Sequence, residues 1–145
     1  MSVRQISVFL ENRPGCLHEM TRVLAENNID MRGLSLAETS DFGIVRLIVN
    51  NVLNTATVLK DAGFVNNLTP VLAVEVSNAP GGLCKALDAL NEADINVEYM
   101  YAITLSGGEN GKAYMILRVS DDAKAETALR GAGVRLVDQE ELAKL

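Results

Sequence analysis

The 145 residues have the length of one ordinary globular domain. Hydrophobic residues make up 48% and charged residues 22%, which excludes a disordered chain; the net charge of −6, with no Trp and 4% aromatics, speaks against a nucleic-acid surface. No apolar run is long enough to span a membrane, MSVRQISVF lacks a signal peptide's apolar core, and two cysteines are too few for a disulfide framework, so the expected setting is cytoplasmic.

Ile6, Val8 and Leu10 alternate and predict a first strand. Asn12-Arg13-Pro14-Gly15 follows, and Pro14 suits the first turn of a helix, where no backbone donor is needed. Leu17, Met20 and Leu24 give that helix one apolar stripe. Extended runs are expected at Asp30–Thr39 and Ile44–Asn50, joined by the turn Asp41-Phe-Gly. A second helix at Thr55–Ala62 would end on Gly63, a natural left-handed cap, before a strand at Phe64–Leu68.

The same series then recurs. Ile6 through Leu17 lies over Leu72 through Leu83 at an offset of 66 residues, and Leu24, Ile29 and Asp30 meet Leu90, Ile95 and Asn96. Two of the three prolines, Pro14 and Pro80, sit at matching positions. Two extra residues are read before Gly111, which then meets Gly43, and two more near Asp121, so that Ala62-Gly63 meets Ala132-Gly133. The second copy's expected strands are Val71–Val76, Asn96–Ser106, Lys112–Val119 and Val134–Asp138, with its second helix at Ala123–Ala132 and a hairpin turn at Glu109-Asn-Gly.

The expected fold class is therefore α+β: two tandem ferredoxin-like βαββαβ units, residues 1–70 and 71–145, each an antiparallel sheet with helices on one face. Units of about 70 residues are marginal alone. No linker separates them, since Thr69-Pro70 leads straight into a strand, so the units are expected to pack together. Ile44-Val45 and Leu47-Ile48-Val49, apolar on both sides, suggest a further covering by a partner chain.

Catalytic and metal chemistry finds little support. His18 is a lone helical histidine, best read as a surface or partly buried residue, and it matches Cys84 in the second copy. Cys16 and Cys84 read as small helix-face hydrophobes. No metal-ligand spacing, serine elbow or Cys–His pair is visible, and no cofactor is expected. Ser106-Gly-Gly-Glu-Asn-Gly-Lys112-Ala113 fails as a phosphate loop because Ser106 replaces the first glycine and Ala113 the hydroxyl residue. Residues 1–70 hold 6 basic and 7 acidic side chains and residues 71–145 hold 7 and 12, which reads as a solvated acidic face or a contact for a basic partner.

The repeated Asn-x-Pro-Gly is the informative element. Free amides at a helix start favour a carboxylate, and Gly allows close backbone approach. With an amino group held by Asn12, Asp30 or their counterparts, an amino acid would be bound, the two segments meeting across a pair of units. Alternatively, Asn12 and Asn78 cap the helices.

Glu11-Asn-Arg-Pro-Gly-Cys-Leu17, Ala25-Glu-Asn-Asn-Ile-Asp30 and Gly43-Ile-Val-Arg-Leu-Ile-Val49 resemble an ACT domain, and Asn78-Ala-Pro-Gly-Gly-Leu83 with Ala93-Asp-Ile-Asn96 matches it again. Such domains regulate amino-acid metabolism, for example in phosphoglycerate dehydrogenase and the small subunit of acetolactate synthase. The resemblance implies paired units, a homo-oligomer such as a dimer, and amino-acid binding between units. The positions it implies are Asn12, Arg13, Pro14, Gly15, Cys16, Leu17 and Asp30, then Asn78, Ala79, Pro80, Gly81, Gly82, Leu83 and Asn96. Arg13 becoming Ala79 and Asp30 becoming Asn96 make the two sites unequal. The expected function is a non-enzymatic, amino-acid-binding regulatory module. Its rivals are a ligand-free regulatory subunit of a metabolic enzyme, such as an acetolactate-synthase-like partner, and a small enzyme on the same scaffold.

Overall fold

A computed structural model describes residues 2–103 and 111–144. The chain divides into one unit of Arg4–Thr69 and another from Pro70 onward that also takes residues 1–3.

The first unit comprises β1 (Val3–Glu11), α1 (Cys16–Glu26), β2 (Met31–Glu38), β3 (Phe42–Val49), α2 (Val52–Asp61) and the first part of β4 (Val65–Ser77). Both β1 and β2 pair antiparallel with β3, and Ser7 Oγ of β1 lies 3.0 Å from Thr69 Oγ1 of β4. Alternation sends Ile6, Val8 and Leu10 with Val45, Leu47 and Val49 to one face, where Met20 and Leu24 of α1 and Leu59 of α2 complete the core. On the other face of β1, Gln5 Nε2 donates to Ser7 Oγ, so two buried polar groups satisfy each other.

The second unit repeats this with the rest of β4, then α3 (Gly82–Glu92), β5 (Val97–Ala102), β6 (Lys112–Val119), α4 (Asp122–Gly131), β7 (Arg135–Val137) and α5 (Gln139–Lys144). Its strand order is β5-β6-β4-β7, all antiparallel. Leu72, Val74, Leu117 and Val119 of the sheet meet Ala86 and Leu90 of α3 and Ala125 and Leu129 of α4. The expected βαββαβ order thus appears twice.

Helix ends match between repeats. The Asn51 side chain accepts from the Asn54 amide at 3.2 Å and caps α2; Asp121 accepts from the Lys124 amide at 3.1 Å and caps α4. Asn51→Ala and Asp121→Ala should each cost about 1 kcal/mol, measured as a shift in urea midpoint by far-UV circular dichroism. Asn28 (φ 55°) and Asp94 (φ 56°) take the left-handed turn after α1 and α3. The Ile29 and Ile95 amides return to Leu24 and Leu90 carbonyls, both at 3.0 Å. Asn and Asp tolerate that conformation better than other side chains.

Four expectations are corrected. Thr69-Pro70 does not separate two strands: β4 is one strand of 13 residues, and Pro70 sits in it with its carbonyl accepting from Arg118 at 2.9 Å. The chain does not end on a strand: α5 follows, and the Asp138 side chain accepts from the Glu141 amide at 2.7 Å to cap it. Cys84 is exposed, with its Sγ 3.8 Å from Asp88 Oδ1, while Cys16 is half-buried against the core.

The fourth correction is to the alignment. Leu10 pairs with Gly43, and its counterpart Val76 pairs with Ala113, so Gly43 corresponds to Ala113 and not to Gly111. All four extra residues enter between β5 and β6, since Leu36 faces Val45 and Ala102 faces Met115. None enters near Asp121. The turn Glu109-Asn-Gly, the end of the strand expected at Asn96–Ser106 and most of the rejected phosphate loop lie outside the described residues.

Candidate ligand-binding loops

Each repeat turns from strand to helix through a left-handed glycine. Gly15 (φ 92°) and Gly81 (φ 88°) are the N-cap residues of α1 and α3, and neither helix has a side-chain cap. Pro14 and Pro80 therefore stand one residue before the cap, outside the first helical turn. A proline after a left-handed glycine would be in the helix; here the glycine makes the bend and the proline stiffens the approach to it. The first intrahelical bonds run from Glu19 to the Gly15 carbonyl at 2.9 Å and from Lys85 to the Gly81 carbonyl at 3.1 Å. Of the preceding first-turn amides, those of Cys16 and Gly82 donate to the Arg13 and Ala79 carbonyls at 3.4 and 3.0 Å, and the next two in each helix are the ones a helix leaves without internal acceptors.

Asn12 does not cap α1. Its amide donates to the Asp41 carbonyl at 2.9 Å and its Nδ2 to the Thr39 carbonyl at 3.0 Å, tying the loop to the turn between β2 and β3. In the second repeat the Asn78 amide donates to the Gly111 carbonyl at 2.7 Å. The repeated Asn thus fastens the helix-start loop to the adjacent strand turn, at least through its backbone.

Asp30 and Asn96 stand elsewhere. The Asn50 amide donates to the Asp30 carbonyl at 3.3 Å, and the Ser120 amide to that of Asn96 at 3.0 Å. Both lie beside the far end of β3 or β6, about 25 Å from the Asn-x-Pro-Gly loop of the same unit across an eight-residue strand. Neither unit by itself brings the two segments together. The Asp30 carboxylate is 3.3 Å from the Arg32 guanidinium.

Arg13 is engaged as well, with its Nε 2.6 Å from Glu11 Oε2 on the surface, which raises its pKa further. The second repeat replaces this pair with Ser77 and Ala79. Beside them is an open hollow of about 410 Å³, where Asn78, Ala79, Pro80 and Leu83 of the loop meet Val76, Ser77, Ala113 and Met115 of the strands. Sequence reading placed four of these eight residues. Met115 and Ala113 escaped it because the expected site comprised only the Asn-x-Pro-Gly segments with Asp30 and Asn96, and no residue of the neighbouring strand. Two further hollows, between α2 and β4 and between α3 and α4, touch none of the expected residues.

A second feature was not foreseen. Glu75, on the strand face away from the helices, accepts from Tyr114 Oη at 3.0 Å and Arg135 Nη1 at 2.9 Å, with Lys112 Nζ at 3.7 Å. Arg135 also reaches Glu141 of α5 at 2.5 Å, so the cluster fastens α5 to the sheet. Burial, then the bond to Glu75, raises the Tyr114 pKa. The first repeat has Phe9 and Phe42 in place of Glu75 and Lys112. Among the described residues, no group of three or more His, Cys, Asp or Glu side chains is placed to hold a metal, and no helix is long and apolar enough to cross a membrane.

A family model described as an ACT domain pair matches residues 1–145. The chain belongs to the ACT domain pair family. Protein BT0572 of Bacteroides thetaiotaomicron has a similar structure, with TM-score 0.91 and 38% identity, covering 100% of this chain and 98% of that one. The ACT fold is shared more distantly with the regulatory subunit of aspartate kinase from Thermus thermophilus, at TM-score 0.65 and 17% identity over 89% and 91% of the two chains. The Thermus flavus regulatory subunit gives TM-score 0.60 and 17% identity, over 90% of each chain. Among curated proteins no sequence matches this ACT domain pair.

Proposed function

We propose that this ACT domain pair is a non-enzymatic regulatory module, with ACT units at 1–70 and 71–145, that binds a small amino acid at its Asn-x-Pro-Gly loops. The observation that carries this reading is the repeated pair of helix starts: each is bent by a left-handed glycine and left without a side-chain cap. Such a start presents backbone amides and a positive dipole end to a carboxylate. Asp30 or Asn96 would reach the bound amino group only from another unit, whether of the same chain or of a second copy, which makes the pairing of units part of the mechanism. Regulation then requires that the ligand favour one pairing of units over another. The fold shared with regulatory subunits of aspartate kinase fits a target in amino-acid metabolism.

Exposed Leu34 and Leu36 on β2, which among the described residues pairs only with β3, favour the second reading, in which the module acts as a ligand-free subunit through its strand edge. A thermal-shift screen against amino acids and branched-chain keto acids separates the two. Ligand at about 100 times its dissociation constant adds about 2.7 kcal/mol, a rise of several degrees. No rise with any compound, in a protein that still self-associates on sedimentation, favours the subunit reading.

A further inference from the structure

The two repeats differ where a ligand side chain would lie. In the first, Leu36 leans over the end of the sheet, and its Cδ1 is 3.2 Å from where a Cβ on Gly43 would stand. The register makes Ala102 its counterpart, since Leu36 faces Val45 and Ala102 faces Met115. The isobutyl group that fills this place in the first repeat is reduced to a methyl in the second. Ala102 faces Met115, and Met115 lines the open hollow of about 410 Å³, a volume within the 300–1,000 Å³ of small-molecule sites.

Its chemistry is one-sided. Val76, Leu83, Ala113 and Met115 supply an apolar floor, Ser77 and Asn78 supply polar atoms at the rim, and among the described residues no charged side chain lines it. The charged pair Glu11–Arg13 of the first repeat is replaced by Ser77 and Ala79, so no counterpart of Glu11 opposes a carboxylate at the start of α3. Nor, among the described lining residues, does a basic group select an acidic side chain. Met115 is unbranched and adapts to differing apolar shapes.

We propose that the second repeat alone is the open ligand site, that it selects an amino acid with an aliphatic side chain of valine to methionine size, and that residue 102 against residue 36 sets this asymmetry. The proposal rests on the binding reading above and names its ligand class. The methyl of Ala102 leaves room for the ligand side chain over Ala113 and Met115. Leu36 occupies the equivalent room in the first repeat.

Calorimetric titration of the full chain with valine, leucine, isoleucine and methionine, and with serine, aspartate and lysine, tests it. One ligand per chain is expected, with an aliphatic amino acid at least tenfold tighter than the polar ones. Ala102→Leu should weaken binding tenfold or more, while Leu36→Ala should raise the stoichiometry from one to two. Both positions are exposed, so the variants should fold, which circular dichroism checks. Two ligands per unaltered chain, preference for a polar amino acid, an Ala102→Leu protein that binds unchanged, or a Leu36→Ala protein that stays at one would each overturn the proposal and leave amino-acid binding standing. Absence of heat and of thermal shift with every amino acid would overturn both.

Discussion

Gly82→Ala is expected to lower the unfolding free energy by about 3 kcal/mol. The added Cβ would stand 1.9 Å from the Ser77 carbonyl oxygen and 2.8 Å from its carbon. These are backbone atoms, and Ser77 is held in register opposite Lys112, so no flexible side chain can yield. Relief requires the start of α3 to lift off β4, which moves the loop proposed to bind ligand. The first repeat has Cys16 at the matching position and accommodates its Cβ, so Cys16→Ala serves as a control costing under about 1 kcal/mol. Urea unfolding followed by circular dichroism measures both. A Gly82→Ala protein within 0.5 kcal/mol of the parent would show that the close approach is not a constraint.

The second large effect concerns how the repeats fill their cores. Met20 of α1 is fully buried, and its counterpart in α3 is Ala86, also fully buried. The bulk has moved to the sheet, because Val45 of β3 corresponds to Met115 of β6. Each unit thus sets a methionine in one layer and a smaller residue in the other. Met20→Ala should therefore cost about 3 kcal/mol, from lost apolar burial plus the cavity left behind. Adding Val45→Met should restore a measurable part, since it places the bulk where the second repeat carries it. A double-mutant cycle by urea unfolding reports this coupling, and strict additivity would show that the two layers do not compensate.

That compensation marks the boundary of what the sequence could tell. The strands and helices were legible because Ile6, Val8 and Leu10 alternate and Leu17, Met20 and Leu24 recur at helical spacing, each twice over. The family resemblance was legible in the doubled Asn-x-Pro-Gly. What escaped was whatever depends on register. Gly43 and Gly111 look equivalent in the sequence, but only the pairing of Leu10 and Val76 fixes which residues they face. The hollow beside Met115 was invisible because the loop motif does not say which strand residues pack beside it. The Glu75 cluster was invisible because its members lie 39 and 60 residues from Glu75. α5 left a signal that was overlooked: Asp138-Gln-Glu-Glu141 is a capping sequence. The roles given to Asn12 and Pro14 needed the left-handed geometry of Gly15, which spacing does not specify.

The join between the repeats has a consequence for how such a chain can change. A seam in an exposed loop would tolerate added or lost residues. Here the seam at Thr69–Pro70 falls inside β4, where side chains alternate between faces and a single added residue would reverse that alternation from there on. The second repeat has taken up its four additional residues between β5 and β6 instead. Length variation between such repeats should accordingly gather between those two strands and spare the seam, so that β4 keeps its 13 residues.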